Sequence, residues 1–254
     1  MSDETSDSPA VVQQRRPRNG WKTAFFCLLG LNIIAFSGIV MTLVPAVRQA
    51  HEAARRSQCY GNLRKLAQAT ADYVSENRKY PPAFVSNDAG KPLYSWRVLL
   101  LPYLGEEKLY RSFDLSEPWD SPHNLKLLEE IPPVYVCPDQ MEQSQKTFAT
   151  AYAAVVAPDH VFIGDRGVSP MTITDSLPST LLYVEASGAN IPWTAPFDVK
   201  EASFSREHGC SSEHRSCVLA VTCAGSVRSI SINLLPEVFR ALFTRNGNER
   251  VGEF

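Results

Sequence analysis

The sequence lacks both an excess of charge and the short motifs of common catalytic sites. Its 254 residues carry 25 Lys and Arg against 27 Asp and Glu, a formal net charge of −2. Such a balance creates no positive field for nucleic acid. The chain has no G-x-S-x-G elbow and no phosphate-binding glycine loop, and His51–Arg55 lacks the second histidine of a zinc-protease helix. We therefore predict no enzyme activity, no cofactor and no nucleic-acid partner.

Charge is absent altogether from one long apolar stretch. The 21 residues from Ala24 to Val44 are interrupted only by Asn32, Ser37 and Thr42. As a helix this stretch spans roughly 30 Å, the thickness of a bilayer core. It predicts a membrane helix that contacts lipid through residues 24–44.

A cleaved signal peptide is the alternative, because arginines precede the stretch and Val44-Pro45-Ala46 resembles a cleavage site. The apolar run is longer than the roughly 7–15 residues typical of signal peptides, which favours retention.

The orientation of the span is not decided by charge alone. Basic residues flank both sides at similar density, namely Arg15, Arg16, Arg18 and Lys22 before it and Arg48, Arg55 and Arg56 after it. The size of the C-terminal part and its cysteines favour a cytoplasmic N-terminus. We expect a single-pass protein of the cytoplasmic (inner) membrane, with a periplasmic or extracellular C-terminal domain.

Four segments follow along the chain. We predict a short disordered cytoplasmic tail over 1–20, a transmembrane helix over 21–47, a helical stem over 48–78 and an extracytoplasmic α+β domain over 79–254. The stem places five residues at helical spacing, namely Leu63, Leu66, Thr70, Tyr73 and Val74. The chain's 18 prolines favour a loop-rich domain with short elements.

Within the domain, β-branched and aromatic runs predict five strands, at 134–136, 148–156, 180–185, 218–222 and 227–232. The last two flank Cys223–Ser226 as a hairpin. Helices are predicted at 96–104, 122–130 and 236–243. Ser121 is the expected N-cap of the second, with Pro122 at its first position.

Several segments resemble a bacterial family of prepilin-like proteins of unknown function, once also labelled solute-binding. They are the stem from Leu43 to Tyr73, YPPAF at 80–84, the segment 95–124, VYVCPD at 134–139 and TDSLPSTLLYVEA at 174–186. The resemblance implies a pilin-like fold, in which a long N-terminal helix serves as anchor and stem and packs on an antiparallel sheet.

The sequence departs from the family pattern in two places, and the first argues against a filament subunit. The leader-like segment Gly20–Phe25 lacks the carboxylate that family members carry. The family's C-terminal motif is a histidine followed, after nine residues, by Asp-Gly, whereas His214 is followed by Ala224-Gly225. Asp175 and Glu185 are shared with the family, and a loop cap and a strand end explain them without chemistry.

Cysteines are the richest remaining signal. Five lie outside the apolar stretch, an odd number that permits at most two bridges. The resemblance places Cys59 on the stem and Cys137 in a Cys-Pro motif, which implies a disulfide that joins helix to domain. Cys217 and Cys223 are six residues apart on one predicted strand and cannot pair without a turn, whereas Cys210 could pair with either.

A metal site is the alternative interpretation of the C-terminal cysteines. Its candidate ligands are His208, Cys210, His214, Cys217 and Cys223. The donor types suit zinc, but their spacing matches no C-x2–4-C pairing.

Two functional hypotheses remain. The first is a non-enzymatic, membrane-anchored pseudopilin-like protein whose domain contacts other envelope or secretion proteins. The second is a membrane-tethered module that binds a small solute, with Trp96, Trp119 and Trp193 as candidate aromatic contacts.

Overall fold

The computed structural model of the chain describes residues 20–200, 217–231 and 233–249. Within these ranges, the side chains at 20, 23, 27, 32–40, 139 and 236 are not described. Almost all of the predicted cytoplasmic tail, and three of the five predicted zinc ligands, lie outside the described residues.

One long helix, α1, runs from Gly20 to Asn77 and includes Pro45 in its interior. The predicted membrane segment and stem are therefore parts of the same helix. Residues up to His51 form one compact unit, and the chain from Glu52 onward forms a second. Among the described residues, no helix is long and apolar enough to cross a membrane.

The C-terminal end of α1 is defined by Arg78. This residue adopts a left-handed conformation with a φ of 60°, and its N–H donates to the carbonyl of Val74 at 2.8 Å. The Asn77 amide donates to the carbonyl of Tyr73. The Arg78 N–H completes the last i→i+4 bond of the helix, and the Asn77 amide adds a second donor to a carbonyl of the last turn.

The remaining elements are short. The other α-helices are α2 (Trp96–Leu99), α3 (Glu107–Ser112), α4 (Met141–Thr147) and α5 (Pro236–Ala241). The strands are β1 (Phe84–Ser86), β2 (Pro92–Ser95), β3 (Ala149–Thr150), β4 (Tyr152–Val156), β5 (Leu181–Glu185), β6 (Ile191–Pro192), β7 (Val199–Lys200), β8 (Cys217–Thr222) and β9 (Val227–Ser231).

The largest described sheet has five strands in the order β7-β4-β5-β8-β9. Its neighbours are antiparallel except for the parallel pair β4 and β7. Two small antiparallel sheets pair β1 with β2 and β3 with β6. A long helix with antiparallel-rich sheets confirms the predicted α+β class, while the more specific pilin-like likeness stays a prediction.

Both faces of the central strands are buried. On one face, Cys59, Leu63 and Leu66 of α1 share a core with Tyr152 and Tyr183. A second core on the other face is formed by Ala153, Val155, Val184, Ile230, Leu242 and Phe243. Alternate residues of β4 therefore enter different cores, which follows from the period of two along a strand.

The predicted hairpin at 223–226 is confirmed. It joins β8 to β9, and Gly225 has a φ of 77°, a conformation that glycine adopts at little cost. The predicted strand 148–156 is interrupted at Ala151 and forms β3 and β4.

The strand predicted at 134–136 is wrong. Residues Pro133–Tyr135 form a 3-10 helix, which the pair Pro132-Pro133 favours because proline fixes φ near −65°. The predicted helix 122–130 is a 3-10 helix over Asn124–Glu130. His123 and not Ser121 occupies its N-cap position, although the Ser121 hydroxyl accepts from the Asn124 N–H at 3.1 Å. The predicted helix 96–104 ends early as α2, ahead of a 3-10 helix at Pro102–Leu104.

Candidate functional site: a buried cluster of two thiols and a carboxylate

Three side chains with metal-ligating atoms meet in the core beneath α1. Cys59 lies on α1, Cys137 directly precedes a 3-10 helix at Pro138–Gln140, and Glu185 is the last residue of β5. Their exposed fractions are 0%, 1% and 0%. The two sulfurs and a carboxylate oxygen all lie within 4.8 Å of one another.

The distances within this cluster describe a chain of polar contacts. The Sγ atoms of Cys59 and Cys137 are 2.9 Å apart, and either atom can be the donor. The Cys137 thiol donates to Glu185 Oε1 at 3.6 Å. With that bond made, the Cys59 thiol donates to the Cys137 sulfur, so one proton arrangement satisfies both contacts.

The structure brings the predicted disulfide partners together but holds no bridge between them. Cys59, Cys137, Cys217 and Cys223 are all thiols, and no disulfide joins any of these described cysteines. The 2.9 Å separation of the Cys59 and Cys137 sulfurs exceeds the roughly 2.05 Å of a sulfur–sulfur bond. The predicted pairing with Cys210 lies outside the described residues.

A strand ladder and a side-chain hydrogen bond position two members of the cluster. Glu185 is opposite Tyr152 in the β4–β5 ladder. The Asn62 amide of α1 donates to the carbonyl of Val136 at 3.0 Å, which holds the neighbouring Cys137 against the helix.

The Tyr152 hydroxyl donates to the carbonyl of Cys59 at 3.4 Å, from the strand toward α1. Burial raises the pKa of Tyr152 well above its usual value, and the nearby Cys59 and Cys137 act in the same direction. The Tyr152 phenol is therefore a neutral hydrogen-bonding group beside the cluster.

A buried ion pair lies near the same sheet. Arg97 of α2 contacts Asp198, next to β7, and neither side chain is exposed. The Asp198 carboxylate also accepts from the indole N–H of Trp96 and the backbone N–H of Ala154, both at 2.9 Å. Burial raises the pKa of the Asp198 carboxyl, and the Arg97 guanidinium and the N–H donors oppose that shift. The Arg97 guanidinium also donates to the carbonyl of Tyr152, so this pair is a structural connection between α2, β4 and β7.

The predicted C-terminal metal ligands are divided by the fold. Cys217 begins β8 and receives a contact from the Arg56 guanidinium, whereas Cys223 follows the other end of β8 beside Tyr80. Six residues of extended strand separate two positions by about 20 Å, too far to share one ion. His208, Cys210 and His214 lie outside the described residues.

Two of the three tryptophans considered as solute contacts are core residues. Trp96 and Trp193 have no exposed surface, and they stack on Tyr183 and Tyr135 respectively. Trp119 is half-buried with its ring edge-on to Phe197. Only Trp119 remains partly accessible.

Two grooves flank the Pro132-Pro133 ridge, each with a volume of about 360 Å³. Both are lined by Glu106, one together with Lys108 and Glu130, the other with Lys65 and Tyr103. They combine polar and apolar atoms on an open surface.

Sequence reasoning treated Glu185 as a strand end and did not connect it with the two cysteines. The sequence signal is a carboxylate at the end of LLYVE, a predicted strand with four preceding nonionic residues. In the structure all five residues are buried. A carboxylate is rarely buried without a partner. Asp175, by contrast, acts as the expected loop cap, since it accepts from the N–H groups of Gly247 and Asn248.

Comparison with known sequences identifies a family whose sequence model matches the stem and most of the domain. The sequence model of a family described as "Protein of unknown function (DUF1559)", also labelled SBP_bac_10, matches residues 48–208. The chain belongs to this family. No curated protein and no solved structure matches it.

Proposed function

We propose that this chain is a non-enzymatic, pseudopilin-like envelope protein, tethered to the membrane by the first part of α1. Its folded domain, from Glu52 onward, contacts other envelope or secretion proteins. The observation that carries this proposal is the exposure of the large apolar side chains that the structure describes in residues 21–31 and 41–51 of α1.

Large apolar side chains in that unit are open to solvent. Phe26 is 67% exposed, Leu31 68% and Met41 81%. Leu28, Leu29, Leu43, Val44 and Val47 are exposed as well. Burial of such a side chain is worth about 1.5–3 kcal/mol, so a surface with many of them favours an apolar environment. Lipid provides that environment along an uncharged stretch of this length.

The pseudopilin-like part of the proposal draws support from the second half of α1. Its Leu63 and Leu66 are fully buried in a core shared with the sheet, and its Thr70 hydroxyl contacts Tyr183. A helix with an exposed apolar first half and a second half packed on an antiparallel sheet is the arrangement that the resemblance implies. The absence of a carboxylate in Gly20–Phe25 favours an accessory role over a filament subunit.

Paired charge substitutions test the tether. Phe26→Asp combined with Leu31→Asp places two charges in the apolar stretch. A charge at the centre of a bilayer costs about 2.5–3.5 kcal/mol, and the cost is smaller toward the end of the span, where Phe26 lies. We expect the full chain to resist alkaline extraction from the membrane fraction and the double variant to be extracted. Gln145→Asp, at an exposed position of α4, serves as the matched control. Complete extraction of the unaltered chain without detergent contradicts the proposal.

A solute-binding function is the second candidate, motivated by the grooves beside Pro132-Pro133. A ligand that binds only the native state raises the unfolding temperature. A thermal-shift screen of the full chain in detergent tests it, with Glu106→Ala as the groove variant. A solute-dependent rise that Glu106→Ala removes supports this candidate, and no rise with any envelope solute contradicts it.

A further inference from the structure

We propose that Cys59, Cys137 and Glu185 bind one thiophilic divalent cation of the Zn²⁺ and Cd²⁺ class. This site is distinct from the C-terminal histidine and cysteine set considered in the sequence. It goes beyond the proposed function, because it depends on the core of the domain and not on the membrane tether.

The donor set suits such a cation. Thiolate sulfur selects soft and borderline metals, and carboxylate oxygen is a regular partner of thiolates at zinc. All three side chains are at least nine-tenths buried, and their donor atoms lie within 4.8 Å of one another. The cluster therefore has the composition and density of a three-ligand metal site.

The position of Glu185 beside both thiols favours a metal site over a simple disulfide. A disulfide between Cys59 and Cys137 would use both sulfurs and remove the S–H that now donates to Glu185 Oε1. The carboxylate would then take no part in the bond between the two sulfurs, although it lies within 4.8 Å of both. A divalent cation uses all three groups and offsets two of the three negative charges of two thiolates and a carboxylate.

The geometry requires only a small adjustment. Tetrahedral zinc with bonds of about 2.3 Å to sulfur holds two sulfurs about 3.8 Å apart. The sulfurs of Cys59 and Cys137 are 2.9 Å apart, and the Cys137 sulfur is 3.6 Å from Glu185 Oε1. To hold zinc, the two sulfurs would have to move apart by about 0.9 Å, for example by rotation of the Cys59 side chain. A water would occupy the fourth coordination position.

Binding has a defined proton balance. The two thiols lose their protons to solvent as the metal–sulfur bonds form, and Glu185 binds as the carboxylate, with no change of oxidation state. The bound ion would connect α1, the Cys137 loop and β5, which are distant in sequence. The cation should therefore raise the stability of the domain as well as occupy the site.

The test uses the full chain, purified in detergent under anaerobic, reducing and metal-free conditions, with Cd²⁺ as the probe. We expect one equivalent of Cd²⁺ to produce a thiolate-to-metal charge-transfer absorption and to raise the unfolding temperature. Cys59 and Cys137 are buried, so alkylation is measured at a urea concentration that unfolds the metal-free domain and exposes both thiols. Under these conditions bound Cd²⁺ should protect the two cysteines of the unaltered chain, as measured by peptide mass spectrometry. This measurement needs no variant and so does not depend on a substituted core folding correctly.

Variants then assign the ligands. Glu185→Gln, nearly the same size, should weaken Cd²⁺ binding by about tenfold or more, the loss that even outer partners of a metal produce. Cys59→Ser and Cys137→Ser should remove the absorption, while Cys223→Ser, outside the cluster, should leave it unchanged.

Two outcomes overturn the proposal. One is equal alkylation of Cys59 and Cys137 with and without Cd²⁺ at that urea concentration. The other is a native chain that lacks two hydrogens and yields a crosslinked Cys59–Cys137 peptide, which identifies the cluster as a structural disulfide.

Discussion

The hydroxyl of Thr70 on α1 lies 2.8 Å from the hydroxyl of Tyr183 on β5, in a fully buried contact. Thr70 also donates to the carbonyl of Leu66, one turn earlier in the helix. Its hydroxyl therefore accepts from Tyr183, and this bond fixes the position of the stem on the sheet.

Removing Thr70 from this contact should reduce stability more than removing the Tyr183 hydroxyl. Thr70→Val leaves the buried Tyr183 hydroxyl without this acceptor, and we expect a loss of about 1–3 kcal/mol in the free energy of unfolding. Tyr183→Phe leaves Thr70 its bond to Leu66 and should cost less. Urea unfolding of both variants checks the order, with Thr172→Val at an exposed position as the control. A larger loss in Tyr183→Phe than in Thr70→Val would contradict the donor assignment.

The buried pair of Arg97 and Asp198 should contribute far more to the free energy of unfolding than an exposed pair. Arg97→Met removes the cation and leaves a buried carboxylate, so we expect a loss of about 3–5 kcal/mol. Arg111→Met disrupts the exposed contact with Glu107 and should cost about 0.5 kcal/mol or less. Chemical denaturation measures both variants, and similar losses in the two would refute the structural role assigned to Arg97.

Alkaline pH should weaken the domain through Cys223. Burial raises the pKa of this thiol from 9.0 to about 12, so between these values the unfolded chain has lost a proton that the folded chain keeps. Its contribution is fully present below pH 9.0 and is lost as the pH rises toward about 12. Cys223→Ser should reduce this decline in the urea midpoint, while Met171→Leu, at a 93% exposed side chain, should not. A decline of the same steepness in Cys223→Ser would count against the assignment.

Asn124 should stabilise the loop that precedes it. Its side-chain amide donates to the carbonyls of Asp114, Glu117 and Pro118, and its Oδ1 accepts from the N–H of Asp114. Because Asn124 is fully buried, Asn124→Ala should cost about 2 kcal/mol or more. Lys126→Ala, exposed in the same 3-10 helix, is the matched control for thermal unfolding. Equal melting temperatures for the two variants would show that the loop does not depend on Asn124.

Local sequence pattern predicts the central elements of this fold well. The predicted strands 180–185, 218–222 and 227–232 match β5, β8 and β9 within a residue at each end, except that residue 232 is not described. β5 and β8 are apolar or β-branched along most of their length, and β9 follows β8 after a hairpin that contains Gly225. The stem helix ends within one residue of the predicted boundary because its apolar spacing continues that far.

Prediction fails where short elements depend on distant partners. The two-residue strands β6 and β7 carry too little pattern to be recognised, and they form because a neighbouring strand is present. The cluster of Cys59, Cys137 and Glu185 joins residues 78 and 48 positions apart. No local pattern specifies such a meeting, so the carboxylate could not be assigned to the thiols from sequence alone.

The proposed function requires the domain from Glu52 onward to lie outside the cytoplasm. External protease added to intact spheroplasts that contain the full chain measures it directly, with a cytoplasmic protein as the control for integrity. We expect the domain from Glu52 onward to be cleaved in intact spheroplasts while the cytoplasmic control survives. Protection of the domain until the membrane is dissolved with detergent would contradict the proposed topology and function.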